Sequence, residues 1–537
     1  MKIATYKLTN LGAGNHILRA KATDGTLVSA FSNVISYSRV AVHTAVLNCS
    51  TNAPTAVSIG KSLTASFLTH GGDYANYTFA TGTILVKMDD GTGTLQDITS
   101  TAWSYGTGSD GREIGIVQIE NVTGTVYISV TAGAVEQQIP TDSILFAGET
   151  SDFTLKATNK EWDGTVEYST DKNTWTTWDG SEIPSANKKL YLRGKNNTKF
   201  YTSKGVRFVL SEKAGCYGNI NTLLDYENPP MSVGKNCYRS MFQGCTSLTS
   251  APELPATTLA ASCYEVMFYG CTSLTTAPEL PATTLKYGCY DSMFNRCTSL
   301  TTAPALPATT LANYCYSSMF YGCTSLTTAP ELPATTLADY CCWGMFQGCA
   351  SLKTAPELPA TNLGEYCYWD MFRDCTSLKT APTLPATTLA EGCYWSMFQG
   401  CTKLVSAPAL PATTLAPYCY RMMFGGCKSL TSAPELPATT LANGCYTQMF
   451  RGCTSLTTAP ALPATTLKYD CYHSMFQDCT SLKISSTQTG KYTIDWRIPS
   501  TGEITSAAGQ WNLDMLKNTG GTFTANPSIN TTYYGAW

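Results

Sequence analysis

Histidine is nearly missing from this chain. Only His16, His43, His70 and His473 occur among 537 residues, far apart in sequence. There is no C-x-x-C, no H-E-x-x-H and no G-x-S-x-G. Zinc sites and activated nucleophiles are built from such clusters, so neither a metal, a cofactor nor a catalytic residue is expected, and the chain reads as a non-enzyme. Charge is scarce too: 14% of residues are charged and the net charge is −3. That balance offers no basic face to nucleic acid and no polybasic anchor to a membrane. No apolar run approaches the roughly 20 residues of a membrane helix, so no membrane insertion is expected. The opening stretch MKIATYKLTNLGAGNHILRAK has no unbroken apolar core and no small-residue cleavage site, as a signal peptide would need. Taken as the true start, it predicts a chain not exported by such a signal; the alternative is a piece of a longer chain.

What is abundant is periodic. Of the 23 cysteines, twenty fall in two regular columns, and only Cys49, Cys216 and Cys342 lie outside them. The pair Met-Phe begins at Met241, Met267, Met293, Met319, Met345, Met371, Met397, Met423, Met449 and Met475, always 26 residues apart. The unit reads CYxxMFxGCTSLTTAPELPATTLAxx. Its apolar positions, as in Cys263, Met267, Phe268, Cys271, Leu274, Ala277, Leu280 and Leu285, follow no single helix or strand period. A coil that passes through a short helical turn, a short strand and a tight loop fits them, with each coil burying its apolar side chains against the next. CYxxMF places Cys and Met four apart, on one face of a helical turn. SLTTA is the expected strand. PELP, with two prolines that cannot donate to a ladder, is a turn or bulge. Columnar cysteines then read as small buried hydrophobes and not as a disulfide framework. Cys342, which replaces the Tyr after the first Cys, is expected to be more exposed than the rest.

The run MFxGCTSLTTAPELPATTL resembles the BspA-like branch of the leucine-rich repeats, with Met where that family has Ala, Cys where it usually has Ile, and a unit three residues longer. The resemblance covers about residues 216–537. The proline-bracketed version is also similar to repeats in proteins of gut bacteria and of their phages. It implies a leucine-rich-repeat solenoid of about ten coils plus caps, over 213–484, and adhesion or host recognition without catalysis. Cys216-Tyr217 opens an imperfect first copy, followed by the detour NINTLLDYENPP. At the far end, 485–537 reads as a C-terminal cap with a degenerate repeat, in which Trp511 stands in the first Cys column and Met515 in the Met column, behind a 14-residue insertion.

The N-terminal half reads as mainly β modules. Residues 1–39, with ATYKL, HILRAKA and SNVISYS, resemble the last strands of a fibronectin type III-like domain. Residues 40–134, with TILVKM and VYISV (Val126, Ile128 and Val130 on one face), resemble an Ig-like sandwich. Residues 135–212 continue as a β domain, with YSTDKNTWTTWDG as a hairpin and KKLYLRG as a strand. Trp162, Trp175 and Trp178 are expected in its core or hairpin.

The coils differ mainly around the first Cys. Two residues after it stand Arg239, Glu265, Asp291, Ser317, Trp343, Trp369, Trp395, Arg421, Thr447 and His473; just before it stand Tyr314, Tyr340, Tyr366 and Tyr418. The period therefore builds an aromatic strip from Trp343, Trp369, Trp395, Arg421, Tyr314, Tyr340 and Tyr366. Such a strip can stack on sugars or anchor a protein; equally, it can serve only to cover the flank of the coils. The intermittent column Glu253, Glu279, Glu331, Glu357 and Glu435, broken by Ala305, Thr383, Ala409 and Ala461, reads as a solvated face. The expected function is a phage fibre or receptor-binding virion component assembled in the cytoplasm, whose reducing milieu keeps thiols free. Its partners would be a host-cell surface glycan or protein and other virion or surface-assembly proteins. A bacterial cell-surface adhesin and a purely structural virion decoration protein are the alternatives.

Overall fold

The structure is a computed structural model that describes residues 14–18, 35–47, 49–51, 53–54, 56–58, 61–69, 77–89, 94–107, 113–123, 125–134, 139–201, 204–464, 467–497, 511–528 and 531–536. Among them the chain is mainly strand and turn, with one short α-helix, Thr99–Ala102, and one 3-10 turn, Ile220–Leu223. It divides into two compact units, Met1–Gln138 and Ile139–Trp537.

The first unit holds two sheets. One runs in the order Gly14–Leu18, Ile35–Leu47, Val126–Ala134, Tyr77–Asp89, Leu95–Asp97, with Ala56–Ser58 also paired to Ile35–Leu47; the other runs Cys49–Thr51, Leu63–Thr69, Glu113–Ile119, Trp103–Thr107. Alternation decides which face is buried: Val126, Ile128 and Val130 are inside with Phe67, Val86 and Val117, while Tyr127 faces out. Ile35–Leu47 is continuous through residues 39 and 40. Its first half pairs antiparallel with Gly14–Leu18 and its second half parallel with Val126–Ala134, so the opening strands are tied into this unit. ATYKL lies outside the described residues.

In the second unit the β-segment before the repeats is not set apart from them: one buried core runs from Ile144 to Tyr533. The hairpin Thr165–Ser169 with Thr176–Thr177 and the strand Lys189–Lys195 are present. Trp162 and Trp178 are buried and stacked, with ring centroids 5.4 Å apart. Trp175 instead holds the Arg193 guanidinium, 4.0 Å from its ring, against Tyr226 of the detour on the other side, at 4.1 Å. This segment also acts as a template for the first coil. Phe200 N–H donates to Cys237 C=O (2.8 Å) and Phe208 N–H to Met241 C=O (2.7 Å). These are the bonds that Tyr238 and Phe242 make to Cys263 and Met267 one coil later.

The CYxxMF piece departs from the expected helical turn. Residues at every fourth position, such as Asn236, Ser240 and Gly244, have φ between 57° and 74°, which no α-helix tolerates. Between them the backbone donates alternately. Met241, Gln243 and Cys245 N–H bond the carbonyl three residues back, while Tyr238, Ser240, Phe242 and Gly244 N–H bond Cys263, Glu265, Met267 and Tyr269 C=O of the following coil, at 2.7–3.1 Å. The coil is a series of tight turns whose spare donors reach its neighbour. SLTTA is likewise less than a strand: a single parallel bridge per coil joins Thr276, Thr302, Thr328 and Thr354. Proline two residues further on has no N–H with which to extend that ladder.

Side chains repeat the same translation. Phe242 to Phe476 form an unbroken stack at centroid steps of 5.4–5.7 Å. It begins edge-on against Phe208 (5.6 Å) and ends edge-on against Trp496 (6.0 Å), whose indole N–H donates to Pro460 C=O. At that end Tyr472, Ser474 and Phe476 N–H donate to Trp511, Leu513 and Met515 C=O, so Trp511 takes the Cys place in a last coil. A three-stranded antiparallel sheet, Ile484–Ser485, Thr532–Gly535 and Ile494–Arg497, closes beside it.

Every cysteine from Cys216 to Cys479 is free and buried. From Cys271 to Cys479, each second-column thiol donates to the Phe carbonyl of the preceding coil at 3.0–3.1 Å. A small apolar side chain with one weak donor suits that place. Burial pushes the thiols up, Cys323 and Cys393 to about 12. Cys342 corrects the expectation: it is 1% exposed, with its Sγ 3.7 Å from that of Cys341. The position faces inward in every coil, so a smaller side chain leaves a rung missing from the buried Tyr stack between Tyr316 and Tyr368 without opening it to water.

Two outcomes follow. Alkylation at about pH 8, where an ordinary thiol is largely reactive, leaves the column cysteines and Cys342 unmodified in the folded protein; fast labelling of Cys342, or disulfides within the coils, by mass spectrometry contradicts this. Restoring the rung with Cys342→Tyr raises stability by about 1 kcal/mol, the scale of an aromatic pair, whereas overpacking would lower the melting temperature.

Candidate functional site

The turn that carries the first Cys also places the variable aromatics. Trp343 N–H donates to Tyr340 C=O three residues back, and Trp369 does the same to Tyr366. Residues three apart across a tight turn share a flank, so Tyr340 and Trp343 meet at 6.3 Å and Tyr366 and Trp369 at 5.7 Å. The coil step then makes columns of them. Trp343, Trp369 and Trp395 stack at 5.1 Å steps, and Tyr314, Tyr340 and Tyr366 at 4.9 and 5.0 Å. Tyr366 and Tyr418 join the two columns at Trp395, at 6.2 and 6.0 Å. The Arg421 guanidinium lies 4.8 Å over the Trp395 ring and caps that end. All seven predicted residues are therefore in one connected, half-buried surface.

The geometry also limits how that surface works. Trp369 gives both ring faces to its neighbours, and Trp395 gives one to Trp369 and one to Arg421. What these rings offer outward is edges. None of the three indole N–H groups has a partner within the chain, and none is buried.

The Tyr column takes the left-handed backbone that this position has in every coil. Tyr314, Tyr340, Tyr366 and Tyr418 have φ of 51–60°, in a left-handed region that bulky residues seldom occupy. The same column holds Gly288, Gly392 and Gly444 elsewhere. Two of those glycines make room: a Cβ on Gly392 would lie 2.3 Å from the Tyr366 ring, and one on Gly444 2.5 Å from that of Tyr418. Strain of this kind is about 1–3 kcal/mol per residue and gathers where a side chain must point somewhere particular.

Sequence reasoning missed the acidic row beside the rings. Asp339, Glu365 and Glu391 each precede the Tyr column by one residue, 26 apart; the same period that revealed the tryptophans carries them. The Asp339 carboxylate accepts from Asn313 Nδ2 (3.3 Å) and from Glu365 N–H (2.9 Å), and the Tyr366 hydroxyl donates to Glu391. In the other direction the Trp column ends in an ion pair, Arg239 to Glu265 at 2.7 Å. Desolvation raises Asp291 beside it to about 6. Among the described residues no group of three or more His, Cys, Asp or Glu is placed to hold a metal ion, and no helix is long and apolar enough to cross a membrane.

Asp370, next to Trp369, is 6% exposed. Desolvation raises its carboxyl to about 6 against the pull of Arg373, whose guanidinium is 3.6 Å away. A carboxyl raised in the folded state favours folding when protonated. Its destabilising effect is thus absent below pH 4, grows as pH rises from about 4 to about 6, and is complete above that. Asp370→Asn, which keeps the left-handed turn, is expected to stabilise the fold by about 2 kcal/mol at neutral pH and by nothing at pH 4; denaturant titrations at both pH values check this, and an equal effect at both contradicts it.

Comparison with known proteins agrees with the repeat. Residues 232–353 match the BspA type leucine rich repeat region in six copies. No curated protein and no solved structure matches the chain. Residues 232–353 are thus BspA type leucine-rich repeats, and the coils that follow them repeat the same 26-residue unit.

Proposed function

We propose that this chain is a non-enzymatic adhesion and recognition protein whose repeats form a rigid solenoid and whose aromatic strip touches the partner. The observation that carries this reading is the cluster of strained tyrosines. A strip needed only to cover the flank gains nothing from Tyr at a left-handed position where Asn236, Ser262, three glycines and Asp470 serve the other coils. In this reading the two sheets of the first unit are an Ig-like module that carries the repeats outward.

The setting we favour is a phage fibre or receptor-binding component, a virion part. Twenty column cysteines buried as free thiols suit a protein that folds in a reducing cytoplasm. The BspA type match equally supports a bacterial surface adhesin, and the two share the same strip.

Replacing Trp343, Trp369 and Trp395 by Ser, the residue at position 317 of the same column, tests the reading on a panel of gut bacterial cells. The expected result is attachment weakened about tenfold or more, a change of ~1.4 kcal/mol, with the fold retained by circular dichroism. Unchanged attachment together with a large fall in melting temperature would make the strip a structural cover.

A further inference from the structure

Three consecutive coils repeat one set of groups. Asp339, Tyr340 and Trp343 form the first, Glu365, Tyr366 and Trp369 the second, Glu391, Gly392 and Trp395 the third. Each set brings a carboxylate, an apolar ring edge and an indole N–H without a partner in the chain, and the sets follow one another at the 5.1 Å step of the Trp column. The series is bounded. On one side the equivalents are Asn313 and Ser317; on the other they are Pro417 and Arg421.

From this we infer that the strip binds a neutral, extended polysaccharide laid along the coil axis, with three subsites of one sugar each. The inference rests on the recognition reading above and names its ligand. A surface that repeats by translation is matched by a polymer that does so, and an extended pyranose chain advances by about one ring per step, the same order as the coil spacing. Each sugar offers hydroxyls that donate to the carboxylate and accept from the indole N–H, and C–H groups that rest on the ring edges. The surface of a globular protein without repeats has no such regular translation. The charge of the row argues against an anionic chain: Asp339, Glu365 and Glu391 face it on every step, with Arg421 only at one end. Face-on stacking, the usual way an aromatic ring meets a sugar, is closed to Trp369, so hydrogen bonding along the edges carries the contact.

The test is an array of neutral mannans, glucans and galactans beside uronate-bearing and phosphorylated polysaccharides, probed with the whole chain, then an oligosaccharide length series of whichever is bound. Binding to a neutral polysaccharide is expected, with affinity rising steeply up to three or four sugars and levelling beyond. Trp369→Phe, which keeps a stacked ring and removes the N–H, and Glu365→Gln are each expected to weaken it several-fold with melting unchanged. Binding only to acidic chains, or affinity indifferent to length, overturns the inference. Cells treated with periodate or with protease separate it from the recognition reading. Attachment lost to protease and kept after periodate means that the strip recognises a protein, which sinks the polysaccharide and leaves recognition standing. Attachment indifferent to the strip variants sinks both.

Discussion

The bond on which everything else in the second unit depends is the backbone N–H of one coil donated to a carbonyl of the next. Left-handed residues at every fourth position prevent CYxxMF from closing into a helix and turn alternate donors toward the neighbouring coil. The translation so imposed is then copied by every side chain column. The Phe stack, the thiols that bond the Phe carbonyls, the buried Tyr stack and the half-buried aromatic strip are all consequences of one register. A coil by itself would leave those donors and its apolar face unsatisfied. The repeats therefore need a start and a stop. The start is Phe200 and Phe208, whose N–H groups donate in the register of a coil; the stop is Trp496 over the last Phe and the Trp511 coil beyond it.

The same register makes a surface whose chemistry is set coil by coil. Positions that face the core repeat nearly unchanged, because each must fit two identical neighbours. Positions beside the first Cys lie on the flank and are free to differ: three coils carry an acid and a half-buried Trp there, while others carry Arg or a small buried Ser or Thr. The strip thus has no separate scaffold: the lattice that stabilises the coils also sets the spacing of the rings.

Much of this was legible in the sequence, since a 26-residue period read on Met-Phe also places every other column. The tryptophans and tyrosines of the strip were found in that way, and Asp339, Glu365 and Glu391 could have been, had the column two before the Cys been read for charge. Conformation was less legible. CYxxMF has the spacing of a helical turn; Gly288, Gly392 and Gly444 in the column of Tyr340, and Gly344 in that of Ser240, are the signal of left-handed φ, which Tyr and Ser themselves do not advertise. SLTTA has strand composition, yet the proline that follows limits it to one bridge. The departure at Cys342 suggests a surface position, whereas its column points inward in every coil. That stacked rings would consume their own faces followed from the 5.1 Å step and was visible only in three dimensions.

The account stands on register, and register can be broken by one residue. Deleting 267–292, a whole 26-residue unit ahead of the strip, joins two equivalent points of the coil; deleting 267–291 removes almost the same residues and leaves every later coil one position out at the junction. Thermal unfolding of the two, followed by circular dichroism, is the direct comparison. The in-register deletion is expected to melt cooperatively close to the parent, and the out-of-register one well below it or in separate steps. Equal melting of the two deletions would contradict it.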